Sequence, residues 1–334
     1  MAEVIRYVDP DATGSGTGVD WTNAYTSLSA WEAAEQTNLV TDGDWHHVYC
    51  RSSSGTADTT GFVLAGWTTD STHNIVVEAA DGDQAVKTGW DTSRYRLVGV
   101  DDRIADIQED YVTFRGLQFG FAYTSAGYED IMRVRNQGVS NEILIDSCYF
   151  RTSSAGTTNQ QIYAMTTNVN LIVVNTVMIN GRMGVRVATD CSITLYNNVI
   201  YNCTSMGVYG NDTGATLYAK NNAVFDTPDD FDFAGTATID HCASDDGDGT
   251  NSVAPSGSDW DNEYSDPANG DFTLLNTGNC YHGGATGPDT GLYTTDMEGD
   301  TYNTSAYSIG VDEYAASGGI VIPTVISLIR RLIG

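Results

Sequence analysis

The sequence predicts an all-β solenoid in which short parallel strands stack coil upon coil. Two ladders of residues support this prediction. One ladder places a polar residue two positions before a small or branched apolar residue, at intervals of 29, 22, 24 and 19: Asp146, Asn175, Asn197, Asn221 and Asp240. The other ladder opens strand-like stretches at intervals of 31, 23, 23 and 23: Ile131, Ile162, Val185, Val208 and Phe231. A shared period near 23 residues is too short for a four-stranded propeller blade and suits one solenoid coil.

Inside each coil, the apolar positions of the first ladder are expected to point inward. We therefore expect Val177, Val199 and Ala223 to stack on successive coils in the interior. The Asn residues of the same ladder are expected at the turns, where their amides can stack on one another and satisfy backbone groups.

The composition favours strands and turns over helices. Asp outnumbers Glu by 34 to 10, and the chain has 35 Gly but only two Lys. Asp and Gly are typical of turns, whereas Glu and Lys favour helices. Lys+Arg 15 against Asp+Glu 44 gives a net charge of −29, which excludes nucleic-acid binding through a generally basic surface.

Cysteine usage and the N-terminus suggest a chain that folds in a cytoplasm. The six Cys are scattered with no CxxC pair, so we expect small buried apolar residues and neither a zinc site nor a disulfide framework. No basic region followed by an apolar stretch opens the chain, so no secretion signal is predicted. No segment approaches the ~18 consecutive apolar residues that indicate a membrane span.

Four regions are predicted along the chain. Residues 1–45 form an N-terminal cap, where Ser29, followed three residues later by a Glu, predicts a short capped helix. Residues 46–243 form the coils of the solenoid. Residues 244–317 are rich in Asp, Gly and Ser and are expected to form irregular final coils and a C-terminal cap, ahead of a Gly linker and an anchor segment at 318–334.

The anchor segment is strongly amphipathic. A helix that begins at Pro323 would place five aliphatic side chains on one face and two Arg in its last turn. We expect this face to dock on a partner protein; the alternatives are the chain's own solenoid, a symmetry mate or a membrane surface. The predicted docking residues are Val325, Leu328, Ile329, Leu332, Ile333, Arg330 and Arg331.

Both ends of the chain resemble pectate-lyase-like right-handed parallel β-helix proteins. The resemblance rests on the opening segment RYVDPDATGSGTGVDWTNAYTSL at 6–28 and on three later segments, DPANGDFTL at 266–274, DMEGD at 296–300 and SIGVDEY at 308–314. It implies a right-handed parallel β-helix, here with a short N-terminal capping helix and a short C-terminal apolar tail. That superfamily includes polysaccharide lyases and hydrolases, phage tailspikes, adhesins and β-helix proteins of tailed-phage particles. The chain looks most like the last group.

The resemblance therefore implies a non-enzymatic virion protein that decorates a phage capsid. Its partners would be capsid or other virion proteins and further copies of itself, and it would be made in the host cytoplasm and located at the virion surface. The alternatives are a polysaccharide lyase or hydrolase and a tailspike-type carbohydrate-binding β-helix. A lyase would need carboxylates that hold Ca²⁺ and a cationic base, and a hydrolase would need grouped Asp. The residues that could line such a groove are Arg133, Arg135, Arg182, Arg186, Asp190 and Asp212.

A strip of surface residues is predicted on one face of the coils. Met132, Tyr163, Arg186 and Tyr209 each follow an inward position of the second ladder, so they should point outward together. Tyr and Arg supply rigid area and hydrogen bonds, which suits contact with carbohydrate or protein. An ordinary solvated sheet face is the alternative.

Metal binding is predicted only weakly, and no cofactor is expected apart from Ca²⁺ as an alternative. Asp9, Asp11 and Asp20 partly match the spacing of a twelve-residue calcium loop, although a solvated Asp/Gly turn would look the same. Two further Asp-rich turns, at 229–232 and 245–248, have a similar composition.

Overall fold

The chain folds into a right-handed parallel β-helix, as the sequence predicts. The computed structural model describes residues 2–100, 103–122, 130–135, 141–152, 160–286, 294–303 and 305–314. The predicted anchor residues of 318–334 lie outside the described residues.

Twenty-five strands and two α-helices make up the described chain. The helices are α1 (Leu28–Glu35) and α2 (Leu39–Asp42). The strands are β1 (Ala2–Val8), β2 (Asp44–Cys50), β3 (Phe62–Leu64), β4 (Ile75–Ala79), β5 (Arg96–Val100), β6 (Ala105–Ile107), β7 (Val112–Arg115), β8 (Gln118–Ala122), β9 (Asp130–Val134), β10 (Asn141–Asp146), β11 (Tyr149–Thr152), β12 (Gln160–Ala164), β13 (Val169–Val174), β14 (Val177–Ile179), β15 (Met183–Val187), β16 (Ser192–Tyr196), β17 (Val199–Tyr201), β18 (Met206–Gly210), β19 (Thr216–Lys220), β20 (Ala223–Phe225), β21 (Phe231–Phe233), β22 (Thr236–Asp240), β23 (Ala243–Ser244), β24 (Tyr264–Asp266) and β25 (Asp271–Leu274).

Three parallel sheets run the length of the solenoid. The nine-stranded sheet has the order β1-β2-β4-β7-β10-β13-β16-β19-β22. A second sheet, called here the covered sheet, has the order β5-β8-β11-β14-β17-β20-β23, and a third, the strip sheet, has the order β3-β6-β9-β12-β15-β18-β21. From β4 to β21, each coil contributes one strand to each sheet, so neighbours in a sheet are one coil apart in sequence.

The interior of the solenoid is filled by alternate residues from all three sheets. Leu171, Ile193 and Leu217 of the nine-stranded sheet and Met178 and Ile200 of the covered sheet are fully buried in one continuous core. Because side chains alternate across a strand, the residues between them face outward.

The predicted stack of Val177, Val199 and Ala223 is confirmed, but its predicted direction is wrong. These three residues pair in register on successive strands of the covered sheet. They face out of the solenoid and belong to a second buried cluster. The covered sheet is apolar on both faces, so the alternation of apolar residues could not identify the inner face.

A turn with a left-handed residue joins the nine-stranded sheet to the covered sheet in each coil. Asn175, Asn197 and Asn221 occupy this position with φ of 49°, 54° and 57°, and Asn tolerates this conformation better than most residues. The sequence alignment of Asp146 and Asp240 with these Asn was wrong by one residue, because Ser147 and His241 take the left-handed position in their coils (φ 54° and 50°).

The expected stack of amides also lies one residue later than predicted. Asn198 Nδ2 donates to Asn222 Oδ1 at 2.9 Å, and each amide also binds a strand carbonyl. The side chains of Asn175, Asn197 and Asn221 instead point away from the interior toward the C-terminal part of the chain. The stacked amides of Asn198 and Asn222 therefore satisfy backbone groups of the turn within the solenoid. The side chains of Asn175, Asn197 and Asn221, called here the outer Asn column, are available for other contacts.

The C-terminal part of the chain packs along the side of the solenoid. The sequence placed residues 244–317 as final coils at its end, but only isolated bridges at Thr250 and Val253 continue the stacking. Phe272, Tyr264 and Ile309 instead bury the outer face of the covered sheet. The reason is the apolar outer face itself, which would be exposed to water unless the chain folded back over it.

The outer Asn column holds this C-terminal segment by hydrogen bonds to its backbone. Asn175 Nδ2 donates to the Thr295 carbonyl at 3.0 Å, and Asn197 Nδ2 donates to the Ser308 carbonyl at 3.1 Å. Asn221 Nδ2 donates to the Ala285 carbonyl at 3.2 Å. One column of turn residues thus fixes three separate parts of the segment.

A buried ion pair locks the end of the segment to an early coil. Lys87 Nζ lies 2.6 Å from Asp312 Oδ1 and 3.1 Å from Glu298 Oε2, and Asp312 Oδ2 also accepts from the Leu274 amide. Burial lowers the pKa of Lys87, but the Asp312 carboxylate outweighs it and the net shift is upward. Removing Lys87 would leave the buried Asp312 carboxylate without its cation, whereas removing Asp312 would leave Lys87 with Glu298.

The N-terminal region combines a strand with the capping helix. The predicted helix is present, but Ser27, not Ser29, is its N-cap: Ser27 Oγ accepts from the Ala30 amide at 3.0 Å. Leu28 and Trp31 of α1 are buried in the main core. The first seven residues of the described chain form β1, which is already the end strand of the nine-stranded sheet.

The prediction that the six Cys are buried is confirmed, and all six are free. Neither α1, with eight residues, nor α2, with four, could cross a bilayer, and the described ranges contain no other helix that could.

The packing of the C-terminal segment can be tested with Phe272→Ala. Phe272 is fully buried between Tyr201, Phe225 and Tyr264, so the cavity should lower the free energy of unfolding by about 3–5 kcal/mol. Denaturant unfolding measures this loss, and limited proteolysis should show earlier cleavage within 256–314. Exposed Thr238→Ala is the matched control and should change stability by less than about 0.5 kcal/mol. A loss in Phe272→Ala as small as in the control would show that the segment contributes little.

Candidate functional site

The strip sheet carries a column of outward-facing polar and aromatic residues. Strand register places these residues side by side on successive coils: Asp106, Arg133, Tyr163, Arg186, Tyr209 and Asp232. Neighbouring strands are ~4.8 Å apart, so the column is about 24 Å long. It is the longest run of alternating Arg and Tyr that the described coils bring together.

The predicted strip is correct at Tyr163, Arg186 and Tyr209 and wrong at Met132. Met132 pairs with Ile162 and is fully buried in the core, so Arg133 takes the outward position beside Tyr163. The interval of 31 residues between Ile131 and Ile162 contains one residue more than the structural repeat. A shift of one residue moves a side chain to the opposite face of a strand.

The centre of the column is a cation–π arrangement. The Arg186 guanidinium carbon lies 4.6 Å from the centre of the Tyr163 ring, and that of Arg133 lies 6.0 Å from it on the neighbouring coil. Arg133 also binds Asp130 through Nε at 2.8 Å and Nη2 at 2.7 Å. Arg133 is therefore held in place, whereas Arg186 forms no ion pair within the described ranges.

Cations gather around this column although the chain is acidic. Arg135 Nε lies 2.9 Å from Asp106 Oδ1, and Arg103 lies 3.3 Å from the other oxygen of the same carboxylate. With Arg182, which directly precedes β15, five of the fifteen Lys and Arg in the chain belong to β6, β9, β15 and their flanks. Three of these five Arg pair with Asp106 or Asp130 of the same sheet.

The residues for lyase or hydrolase chemistry are only partly brought together. Asp190 and Asp212 follow neighbouring strands and both approach Gly214, where an added Cβ would collide with Asp190 and lie 3.2 Å from Asp212 Oδ1. Asp212 is occupied by local contacts, accepting from Thr189 Oγ1 at 2.9 Å and from the Gly214 amide at 2.8 Å. A pair of carboxylates is the set that glycoside hydrolysis uses, whereas a lyase also needs a cationic base beside them.

The calcium loop predicted at the N-terminus is not assembled by its three Asp. Asp9 pairs with Arg51 at 2.8 Å, and Asp11 accepts from the Ser54 amide at 2.8 Å. Hydrogen bonds from Ser54 and Thr56 lower the pKa of Asp11 to about 2. Asp9 also accepts from the Ser53 amide, next to Ser54, whereas Asp20 accepts from Asn23 in its own turn.

The two other Asp-rich turns do meet in space. Carboxylate oxygens of Asp230, Asp246 and Asp248 lie within 4.8 Å of one another, and Ca²⁺ prefers such oxygen ligands. Asp230 is fully buried and accepts from Thr227 Oγ1 at 2.9 Å and from the Asp245 amide at 2.6 Å. The sequence shows the two Asp-rich turns as separate segments, and only the return of the chain after β23 brings them together.

Among the comparisons with known proteins, the family model agrees with the fold. Residues 110–246 match the family model of the right-handed beta helix region. A solved structure, that of the pectate lyase Pel9A, aligns over 93% of this chain and 96% of its own, at 15% identity and a TM-score of 0.33. No curated protein matches the chain in sequence. The class defined by fold and family model is therefore a right-handed parallel β-helix protein.

The buried Asp230 predicts a dependence of stability on pH. Burial raises the pKa of Asp230 to about 7, above its usual value of 3.8. The folded state therefore holds this proton more tightly than the unfolded state, so the group favours folding in acid and loses that effect as pH rises from about 4 to 7. Burial raises the pKa of Asp296 and Glu109 to about 7 as well, so their effects have the same sign.

We expect Asp230→Asn to be more stable than the wild type at pH 8 by about 1–3 kcal/mol and similar to it at pH 5. Thermal unfolding at both pH values measures this difference. Asn keeps one acceptor for Thr227 and removes the buried charge, and exposed Asp259→Asn is the control. If millimolar Ca²⁺ stabilises the wild type at pH 8 and not Asp230→Asn, the three carboxylates bind the cation. Equal pH profiles for both proteins would contradict the raised pKa.

Proposed function

We propose that the protein is a non-enzymatic β-helix of a tailed-phage particle, exposed at the particle surface and attached through its anchor segment at 318–334. One observation carries this proposal: the motifs by which the chain resembles the phage group have a structural role. Those residues build the fold: Phe272 and Ile309 bury the covered sheet, and Asp312 binds Lys87.

The carboxylates of the same motifs are used for structure too. Asp296 Oδ1 accepts from the Glu298 and Asp300 amides at 2.9 and 2.8 Å, and its Oδ2 accepts from the Glu313 amide at 3.0 Å. Glu313 in turn accepts from the Ser308 amide at 3.1 Å. Carboxylates that bind backbone amides in a buried turn stabilise that turn, and they are not placed to act on a substrate.

The charge of −29 also suits an outer surface. Like-charged molecules repel one another at distances beyond contact, which limits nonspecific association of many copies. The expected partners are capsid or other virion proteins and further copies of the chain.

Attachment can be tested with a chain shortened to end at Ser317. The full chain should sediment with purified particles, and the shortened chain should remain in the supernatant because its five aliphatic anchor side chains are gone. Both should show the strand signal of the folded solenoid in circular dichroism. Leu328→Asp with Leu332→Asp in the full chain is the matched variant. Particles that retain the shortened chain would remove the anchor from the proposal, and a chain that never accompanies particles would refute the proposal itself.

A second candidate function, carbohydrate binding or cleavage, is favoured by the strip around Tyr163. Aromatic rings stack on sugar faces, and Arg forms paired hydrogen bonds with uronate carboxylates. We expect binding of an acidic polysaccharide, if it occurs, to be weakened ~10-fold or more in Arg186→Ala and little changed in Lys220→Ala, which removes a cation from another sheet. Affinity electrophoresis in uronate polymers measures this change. Turnover, seen as ultraviolet-absorbing unsaturated sugars or new reducing ends and lost in Arg186→Ala, would replace the non-enzymatic proposal.

A further inference from the structure

The outer face of β1 and β2 carries a continuous row of aromatic rings. Trp45, His47 and Tyr49 alternate along β2 with buried residues of the solenoid interior, so they point away from the interior. Tyr7 of β1 pairs in register with Tyr49, and Trp21 lies in the loop that follows β1. We call these five residues the aromatic row.

The rings of the row contact one another from end to end. Ring centres are 5.5 Å apart between Trp45 and His47 and 4.2 Å apart between His47 and Tyr49. The Tyr7 ring lies 6.0 Å from that of Tyr49, and the Trp21 ring lies 4.5 Å from that of Tyr7. Such separations are typical of interacting aromatic pairs. The part of the row on β2 is about 13 Å long, because it spans four residue steps of a strand.

The aromatic row remains accessible to solvent. Each of its five residues keeps part of its surface exposed, and none belongs to a core cluster formed by the described residues. Ile5, which pairs with His47, is 37% exposed and extends the apolar surface. A contiguous exposed surface of rings, unlike a single exposed apolar residue, indicates a place where a ligand binds.

His47, in the middle of the row, is held between two carboxylates. Its Nδ1 lies 3.0 Å from Glu3 Oε1, and its Nε2 lies 3.1 Å from Glu78 Oε1. Burial lowers the pKa of His47, but its hydrogen bonds with Glu78 and Glu3 outweigh this effect and the net shift is upward. The imidazolium offsets part of the carboxylate charge, so the row has little attraction for a cationic ligand. Rings fixed in this way also lose little conformational freedom on binding.

The cations beside the row are paired as well. The Arg51 guanidinium carbon lies 4.2 Å from the centre of the Trp21 ring, and Arg51 Nε lies 2.8 Å from Asp9 Oδ2. Arg115 Nε lies 3.0 Å from Asp146 Oδ2. Because both guanidinium groups already bind carboxylates, a carboxylate or phosphate ligand gains little at this surface.

The row therefore suits an uncharged ligand that has both apolar faces and hydroxyl groups. A sugar ring presents C–H bonds on its faces, which pack against an aromatic ring, and hydroxyl groups at its rim, which donate to carboxylates. Glu3, whose side chain is 39% exposed, supplies such an acceptor at the edge of the row. A series of adjacent rings favours a chain of sugars over a single sugar.

We propose that the aromatic row binds a neutral polysaccharide chain by stacking of its sugar rings. This inference goes beyond the proposed function, which concerns attachment of the protein and assigns no ligand to its N-terminal end. The row is also separate from the strip sheet, where the Arg residues favour an acidic polysaccharide.

Affinity electrophoresis in gels that contain neutral polymers tests this site. Dextran, galactomannan and a soluble β-glucan are the probes, and at least one of them should retard the wild type. Trp45→Ala and Tyr49→Ala should each raise the dissociation constant ~10-fold, since each removes a stacking ring. Trp45→Phe keeps a ring and should retain most of the affinity. Tyr218→Ala, which removes a ring that is 47% exposed on the same sheet, is the matched control and should bind like the wild type.

Three outcomes would overturn the proposal. The first is that no neutral polymer retards the wild type, a result that needs no variant to fold. The second is retardation that is lost in Arg186→Ala and kept in Tyr49→Ala, which would assign the binding to the strip sheet. The third is retardation by polygalacturonate or chitosan that depends on Tyr49, which would show a charged ligand. These measurements use the isolated protein, so their failure is distinct from a failure of the proposed function.

Discussion

The structure depends on the left-handed turn between the nine-stranded sheet and the covered sheet. A positive φ is costly for most side chains, so the position accepts a narrow set of residues, here Asn in three consecutive coils. The turn reverses which residues face the interior: the residue two positions after the Asn faces outward, and the next one faces the core. Because of this reversal, the covered sheet presents an apolar outer face to the C-terminal part of the chain.

The same turn explains why the C-terminal part of the chain lies along the side of the solenoid. It points the Asn amides outward in a column, and amides that point outward can bind backbone carbonyls of another segment. Next to this column, the outer face of the covered sheet is apolar. Hydrophobic burial supplies most of the favourable free energy, and the amide bonds fix the register of a segment that has little regular structure of its own. The Lys87–Asp312 pair then ties residues 225 positions apart in sequence.

The three outer faces have different physical characters and therefore different uses. The covered sheet is apolar and is used by the chain itself. The strip sheet concentrates Arg and Tyr, with Arg133 held by Asp130 and Arg186 stacked on Tyr163. The nine-stranded sheet carries the aromatic row at its first two strands. One repeating backbone thus carries three surfaces, since outward side chains of a parallel solenoid are constrained by their neighbours in the column and little by the core.

The sequence by itself determined the fold class, because a repeat of apolar residues near 23 positions leaves few alternatives to a coiled stack of strands. It also determined the burial of all six Cys and most of the strip, since alternation within a strand is local. Only the tertiary structure decided which apolar face was the interior, because the covered sheet is apolar on both sides. It also decided that Met132 is inside and Arg133 outside, since one extra residue in a loop shifts the register without changing the local pattern. The meeting of Asp230 with Asp246 and the pairing of Lys87 with Asp312 depend on how the chain returns over itself, and no local pattern encodes that path.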